Sequence, residues 1–180
     1  MNAFLRLIGI VNAAVWFGAA FFLTACAAPA IFSPELKRLF GQAHIGLIAQ
    51  AVLSTFFVLQ YWCGGIALLH LLAEWFYLWQ RPQRYLTGVL VGLYCLALMG
   101  GLWLQPQLQH WHRVKYSTEL YRQEVYSPAQ KAEAAKLFGL WHGVSQVFNL
   151  VTLGGLAFYL WRLSLPAEGP RFLPTGKFRS

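Results

Sequence analysis

Aspartate is absent from this chain, and only 11% of its residues carry a charge of either sign. Soluble domains average about 25% charged residues, so the shortage argues for a chain that lives mostly out of water. The acidic complement is six glutamates, no two of which read as a close catalytic pair. Cysteine is scarce as well. Cys26, Cys63 and Cys95 are widely spaced, form no CxxC and each sit in an apolar run. That excludes a zinc ribbon or a disulfide framework and leaves buried free thiols as the expectation. GxSxG, HExxH, P-loop and Rossmann glycine patterns are all missing. The chain therefore leans away from an enzyme, although single residues on separate helices can still build a membrane active site. Nucleic acid is excluded as a partner, because the basic residues form neither a basic helix nor an aromatic-basic motif.

What the chain does have is apolar length. Hydrophobic residues make up 58% of its 180 positions, and fourteen Lys and Arg give a net charge of +8. Most of the basic residues fall between or beyond the apolar runs, a pattern suited to a bilayer with anionic headgroups. The pattern predicts an all-α fold: an integral membrane four-helix bundle with an extra interfacial amphipathic helix between spans 1 and 2.

The first span is expected over 5–32, with small residues Gly9, Ala13, Ala14, Gly18 and Ala19 for close helix approach. Leu23-Thr24-Ala25-Cys26 has the form of a lipoprotein signal box, with Arg6 ahead of it. The apolar run continues through Ala30-Ile31-Phe32 and no polar tether follows, so a retained span is expected. Ser33-Pro34-Glu35 is a helix start. The helical stretch it opens is too long to cross once. A break at Ser54-Thr55 through Gln60 would give an interfacial helix over 34–53 and a second span over 56–79. A five-span alternative would need a turn at Leu59-Gln60-Tyr61, which has neither Gly nor Pro.

Trp75, Tyr77 and Trp79 form an aromatic belt before a turn bearing Arg81 and Arg84. The third span, 85–105, contains Gly88 and Gly92 as a GxxxG packing motif. It is expected to run on past Trp103, with a kink at Pro106. Ser127-Pro128 repeats the start signal, and the fourth span is expected over 138–161 on a helix that begins outside the lipid. Residues 164–180 read as a basic, disordered tail. Four spans place both termini on one side. Seven Lys and Arg fall there (Arg6, Arg81, Arg84, Arg162, Arg171, Lys177, Arg179) against seven opposite (Lys37, Arg38, Arg113, Lys115, Arg122, Lys131, Lys136). The compact Arg81–Arg84 turn carries more weight than the long connector, which favours cytoplasmic termini in a bacterial inner membrane.

The fourth span carries the most specific pattern. With His142 at zero and about 100° per residue, Ser145, Gln146, Asn149 and Thr152 fall at about 300°, 40°, 340° and 280°. They form one polar stripe, about 120° wide, on an apolar helix. Lipid offers no hydrogen-bond partners, so the stripe is expected to face other helices or a wet cavity. His70 and Glu74, four apart, share a face and form an ionisable pair. Pairing of Glu74 with Arg6, Arg81 or Arg84 at the interface would account for them, and a proton relay or cation site is the alternative. Asn12 reads as a helix-packing hydrogen bond. Of the histidines, His44 and His142 are the pair placed to hold a metal or haem iron, should there be one. His110 and His112 point to different faces of their helix. No cofactor is required by any motif.

Leu59-Gln60-Tyr61-Trp62-Cys63, the small-residue first helix, and Phe138-Gly139-Leu140-Trp141-His142-Gly143-Val144-Ser145 with Asn149 and Leu150 resemble the transmembrane protein 205-like family. Its bacterial members are grouped as a domain of unknown function, number 4149. The resemblance spans about residues 5–163. It implies a small four-span membrane protein and no settled activity. The signal-box form and the His110-Trp111-His112 run are features of this chain, outside that resemblance. Three functions follow as expectations: an accessory or assembly protein docking other membrane proteins or a larger complex through the stripe; transport of a small ligand, ion or proton through a polar cavity; or a haem or metal redox protein using His44 and His142.

Overall fold

A computed structural model describes residues 2–78, 84–121 and 126–165, all of them helix or short connection. Four helical stretches, Phe4–Ile31, Pro34–Phe76, Arg84–Lys115 and Pro128–Ser164, are long and apolar enough to cross a membrane. The first consists of α1 (Asn2–Phe22), a π-helical turn (Leu23–Ala27) and α2 (Ala28–Ile31). The second is α3 (Pro34–Leu78). The third is α4 (Arg84–Met99), a π-helical turn (Gly100–Leu104) and α5 (Gln105–Lys115), after which the short α6 (Ser117–Leu120) leads toward α7 (Pro128–Ser164).

Both π turns have the same cause. Pro29 and Pro106 each stand two residues beyond one of them. Proline lacks an N–H, and its ring collides with the carbonyl four residues back, here those of Ala25 and Leu102. Both carbonyls lie inside the widened turns, where the bonding runs i to i+5: Ala28 N–H donates to Leu23 O, and Gln105 N–H donates to Gly100 O. The chain thus passes each proline without ending its helix, and the kink expected at Pro106 takes the form of a π turn before it.

The two Ser-Pro starts act as helix starts. Leu36 N–H donates to Ser33 Oγ at 3.4 Å. Ser127 and Gln130 form a reciprocal capping box, with Gln130 N–H donating to Ser127 Oγ at 3.2 Å and Ser127 N–H to Gln130 Oε1 at 2.8 Å.

The break within α3 is not where composition placed it. It falls at Gly41, whose φ of 73° and ψ of 158° lie in a region open essentially only to glycine. A short helix over 34–40 therefore stands between the first two spans in place of the expected 34–53, and 42–78 runs unbroken for roughly 55 Å. Ser54 and Thr55 do not interrupt it, because their hydroxyls donate back to Gln50 O (2.9 Å) and Ala51 O (3.2 Å). The five-span arrangement fails for the same reason, since Leu59, Gln60 and Tyr61 are helical.

The core is assembled from all four stretches: Ala13, Trp16 and Ala20 of α1, Phe56, Cys63 and Ala67 of α3, Leu90 and Leu93 of α4, and Leu156 and Tyr159 of α7. Gly9 and Ala13 supply the expected close approach, whereas Ala14 and Gly18 are exposed. The GxxxG pair also misses the core: Gly88 and Gly92 are exposed and a Cβ on either would have no neighbour within 4 Å. Cys63 is buried as expected, but Cys26 and Cys95 are exposed.

Two aromatic layers bound the apolar zone. At the terminal end Arg162 lies between Tyr85, whose hydroxyl accepts its hydrogen bond, and Trp161. At the far end Trp103 and Trp141 meet edge to face with centroids 5.1 Å apart. Trp141 to Trp161 is about 30 Å of helix and Tyr85 to Trp103 about 27 Å, which matches a hydrocarbon core of about 30 Å. The first part of α7 projects beyond the far layer, as its polar composition predicts. Arg6 donates to Leu165 O at 2.7 Å, so the two ends of the described chain meet at one end of the bundle. Trp79, Arg81 and the tail from residue 166 onward lie outside the described residues, whereas Ser164, expected to open the tail, ends α7.

Candidate functional site

The boundary of the bundle cuts the polar stripe of α7 lengthwise. Ordered by helical angle the residues run Thr152, Ser145, Asn149, His142, Gln146, and exposure rises in that order. Thr152 is buried at 6% exposure, Ser145 and Asn149 are half-buried, and His142 and Gln146 are exposed. The inward edge is spent on packing. Asn149 Nδ2 donates to Thr24 Oγ1 at 2.8 Å, and Thr24 in turn donates to Ala20 O at 2.8 Å, which ties α7 to the π turn of the first span. Ser145 donates to its own helix at His142 O, 2.7 Å away.

The outward edge differs from the expectation that the whole stripe is sheltered. His142 and Gln146 meet each other, with Gln146 Nε2 3.2 Å from His142 Nε2, on a surface that none of the other described residues covers. The reason is rotation. Thr152, Leu156 and Tyr159 are buried and set the angle of α7, which leaves the far edge of a stripe about 120° wide outside.

Other polar side chains within the apolar stretches bridge helices. Asn12 Nδ2 donates to Cys63 O at 2.8 Å, as its packing role predicts. His70 Nε2 donates to Leu5 O at 2.6 Å, and its ring fills the space a side chain would need at Gly9, where an added Cβ would lie 2.8 Å from Cε1. Glu74 sits 3.8 Å from His70 Nε2, beyond hydrogen-bond range; of the three arginines expected beside it, Arg6 is on Leu165 O and exposed Arg84 makes no ion pair with it. Arg81 lies outside the described residues. Gln105, Ser54 and Thr24 were not evident from the sequence. Buried Gln105 donates to Gln50 O at 3.4 Å and to Ser54 Oγ, which joins the third stretch to α3 just beyond the second π turn. The available signal was a lone amide beside Pro106 at the end of an apolar run.

Among the described residues His44 and His142 make no hydrogen bond or ring contact with each other. His44 is exposed on α3, and the ring His142 stacks on is Phe138, at 5.9 Å, not His44. Among the described residues no three His, Cys, Asp or Glu side chains group as metal ligands. His110 is exposed against Trp111, whereas His112 is buried to 2% between Tyr116 and Phe138. Among the described residues its Nε2 has no hydrogen-bond partner, and it faces the bare Cα of Gly46.

A family model described as Domain of unknown function (DUF4149) matches residues 11–117. The chain belongs to this family. The matched region runs from α1 into α6 and so takes in three of the four membrane-length stretches, both π turns and the Gly41 break, while α7 and its stripe lie beyond it. The description of DUF4149 names no activity. No curated protein and no solved structure shows significant similarity to the chain.

Proposed function

We propose that this DUF4149 protein is a non-catalytic accessory or assembly protein of the bacterial inner membrane, with both termini cytoplasmic, that docks other membrane helices through α7. The observation that carries this is the outward His142–Gln146 pair. Asn12, His70, Gln105 and Asn149 are consumed in ties between helices of the same bundle. Polar groups used this way hold helices together rather than line a water-filled path, which favours docking over transport. His142 and Gln146 are left facing outward near the far aromatic layer, where hydrocarbon offers nothing to bond.

Affinity purification of the tagged full chain from native membranes in mild detergent tests the proposal. The chain is expected to travel in a defined larger assembly that a His142→Leu/Gln146→Leu variant leaves. If both proteins migrate as single bundles with no partner, the docking role is wrong.

A further inference from the structure

We infer that the outward face of α7 binds a second copy of this chain, helix against parallel helix, with the two Gln146 side chains meeting across the contact. This rests on the docking role proposed above and names the partner.

Gly139, Gly143, Gln146, Leu150 and Gly154 fall within about 80° of one another on α7 at about 100° per residue. All five are exposed, and a Cβ on any of the three glycines would have no neighbour within 4 Å. A second helix backbone therefore has room to come close there. The glycines alone would accept many helices; the amide narrows the choice. Gln146 gives one N–H to His142, and among the described residues its other N–H and its carbonyl oxygen have no partner. It stands five residues inward of Trp141, about 7.5 Å below the far aromatic layer and so inside the apolar zone.

A group left there needs a donor and an acceptor at the same depth. Another copy supplies both without further assumption. Every copy enters the membrane in the same orientation, so a two-fold axis along the membrane normal sets α7 parallel to its mate and Gln146 opposite Gln146. A primary amide is its own complement, each N–H meeting the other's carbonyl. A different partner helix would have to carry its own polar side chain at that level.

The test uses the full chain with Cys26, Cys63 and Cys95 replaced by alanine, single cysteines placed along α7, and mild oxidation in intact membranes. Gly143→Cys, Gln146→Cys and Leu150→Cys are expected to give disulfide-linked dimers, and Ser145→Cys, Asn149→Cys and Thr152→Cys are not. In parallel, single-molecule photobleaching in liposomes, with Gln146 present, is expected to give a dimer that Gln146→Leu weakens roughly 3- to 20-fold, the range for one or two membrane-buried hydrogen bonds. Gln146→Asn should retain most of the association. Cross-linking without this periodicity, or a wild-type chain that stays single at every lipid dilution, overturns self-association. If the chain stays single yet leaves a larger assembly when Gln146 is changed, the partner named here is wrong while the docking role stands. If it stays single and no assembly depends on Gln146, both fail.

Discussion

Replacing Asn149 with leucine removes a hydrogen bond that crosses from α7 to the π turn of the first span, 2.8 Å from Nδ2 to Thr24 Oγ1. Thr24 keeps its own donation to Ala20 O, so the hydroxyl proton is not stranded and the loss is confined to the interhelical contact. Interhelical hydrogen bonds in membrane proteins measured by double-mutant cycles average about 0.6 kcal/mol and reach about 1.7 kcal/mol. Asn149 is half-buried and bonds to a hydroxyl already oriented by another bond, so a coupling toward the upper half of that range is expected, about 1 kcal/mol. The cycle Asn149→Leu, Thr24→Val and both together isolates it. Thr24→Val also loses the bond to Ala20 O, but that loss occurs in both arms and cancels. The assay is reversible unfolding in mixed micelles with increasing SDS, followed by the fluorescence of the eight tryptophans. A coupling below about 0.3 kcal/mol, within the scatter of independent sites, would refute the claim that the inward edge of the stripe is an interhelical tie.

Other expectations follow from the same geometry. Gly41→Ala should destabilise the bundle by about 1–3 kcal/mol in that assay, because its φ of 73° and ψ of 158° are strained for any side chain; an unchanged midpoint would mean the break lies elsewhere. Gly46→Ala should cost about 1–3 kcal/mol by driving a methyl into the His112 ring, and His112→Ala in the same chain should recover part of that loss. Gln146→Leu measured on the single chain should shift stability by less than about 0.5 kcal/mol, since it is exposed; a large drop would place it inside the bundle.

The number of crossings was legible because apolar length is a property of composition, and the Ser-Pro starts were legible because capping is local. The position of the break was not. Ser54 and Thr55 look like an interruption by polarity, yet their hydroxyls are satisfied within the helix. Gly41 looks like any glycine inside a helical run, and only the tertiary path asks it for a positive φ. The stripe shows a similar limit. Helical angles give the spread of His142 to Thr152 around α7 without the direction in which the helix is turned. That phase is set by Thr152, Leu156 and Tyr159 against the core, and it leaves Asn149 inside and Gln146 outside. His112 and His110 were separable by register alone, since two residues along a helix is over half a turn. That one of them would press against Gly46 was not.

The division of α7 into a bonded inner edge and an open outer edge is most directly tested by spin labels scanned along it in nanodiscs holding one chain each. Collision with dissolved oxygen reports contact with lipid. Labels at Gly143, Val147, Leu150 and Val151 are predicted to relax strongly, and labels at Ser145, Asn149, Thr152 and Leu156 weakly, with a helical period. Equal relaxation on both sets of positions, or strong relaxation at Asn149 and Thr152, would contradict the arrangement.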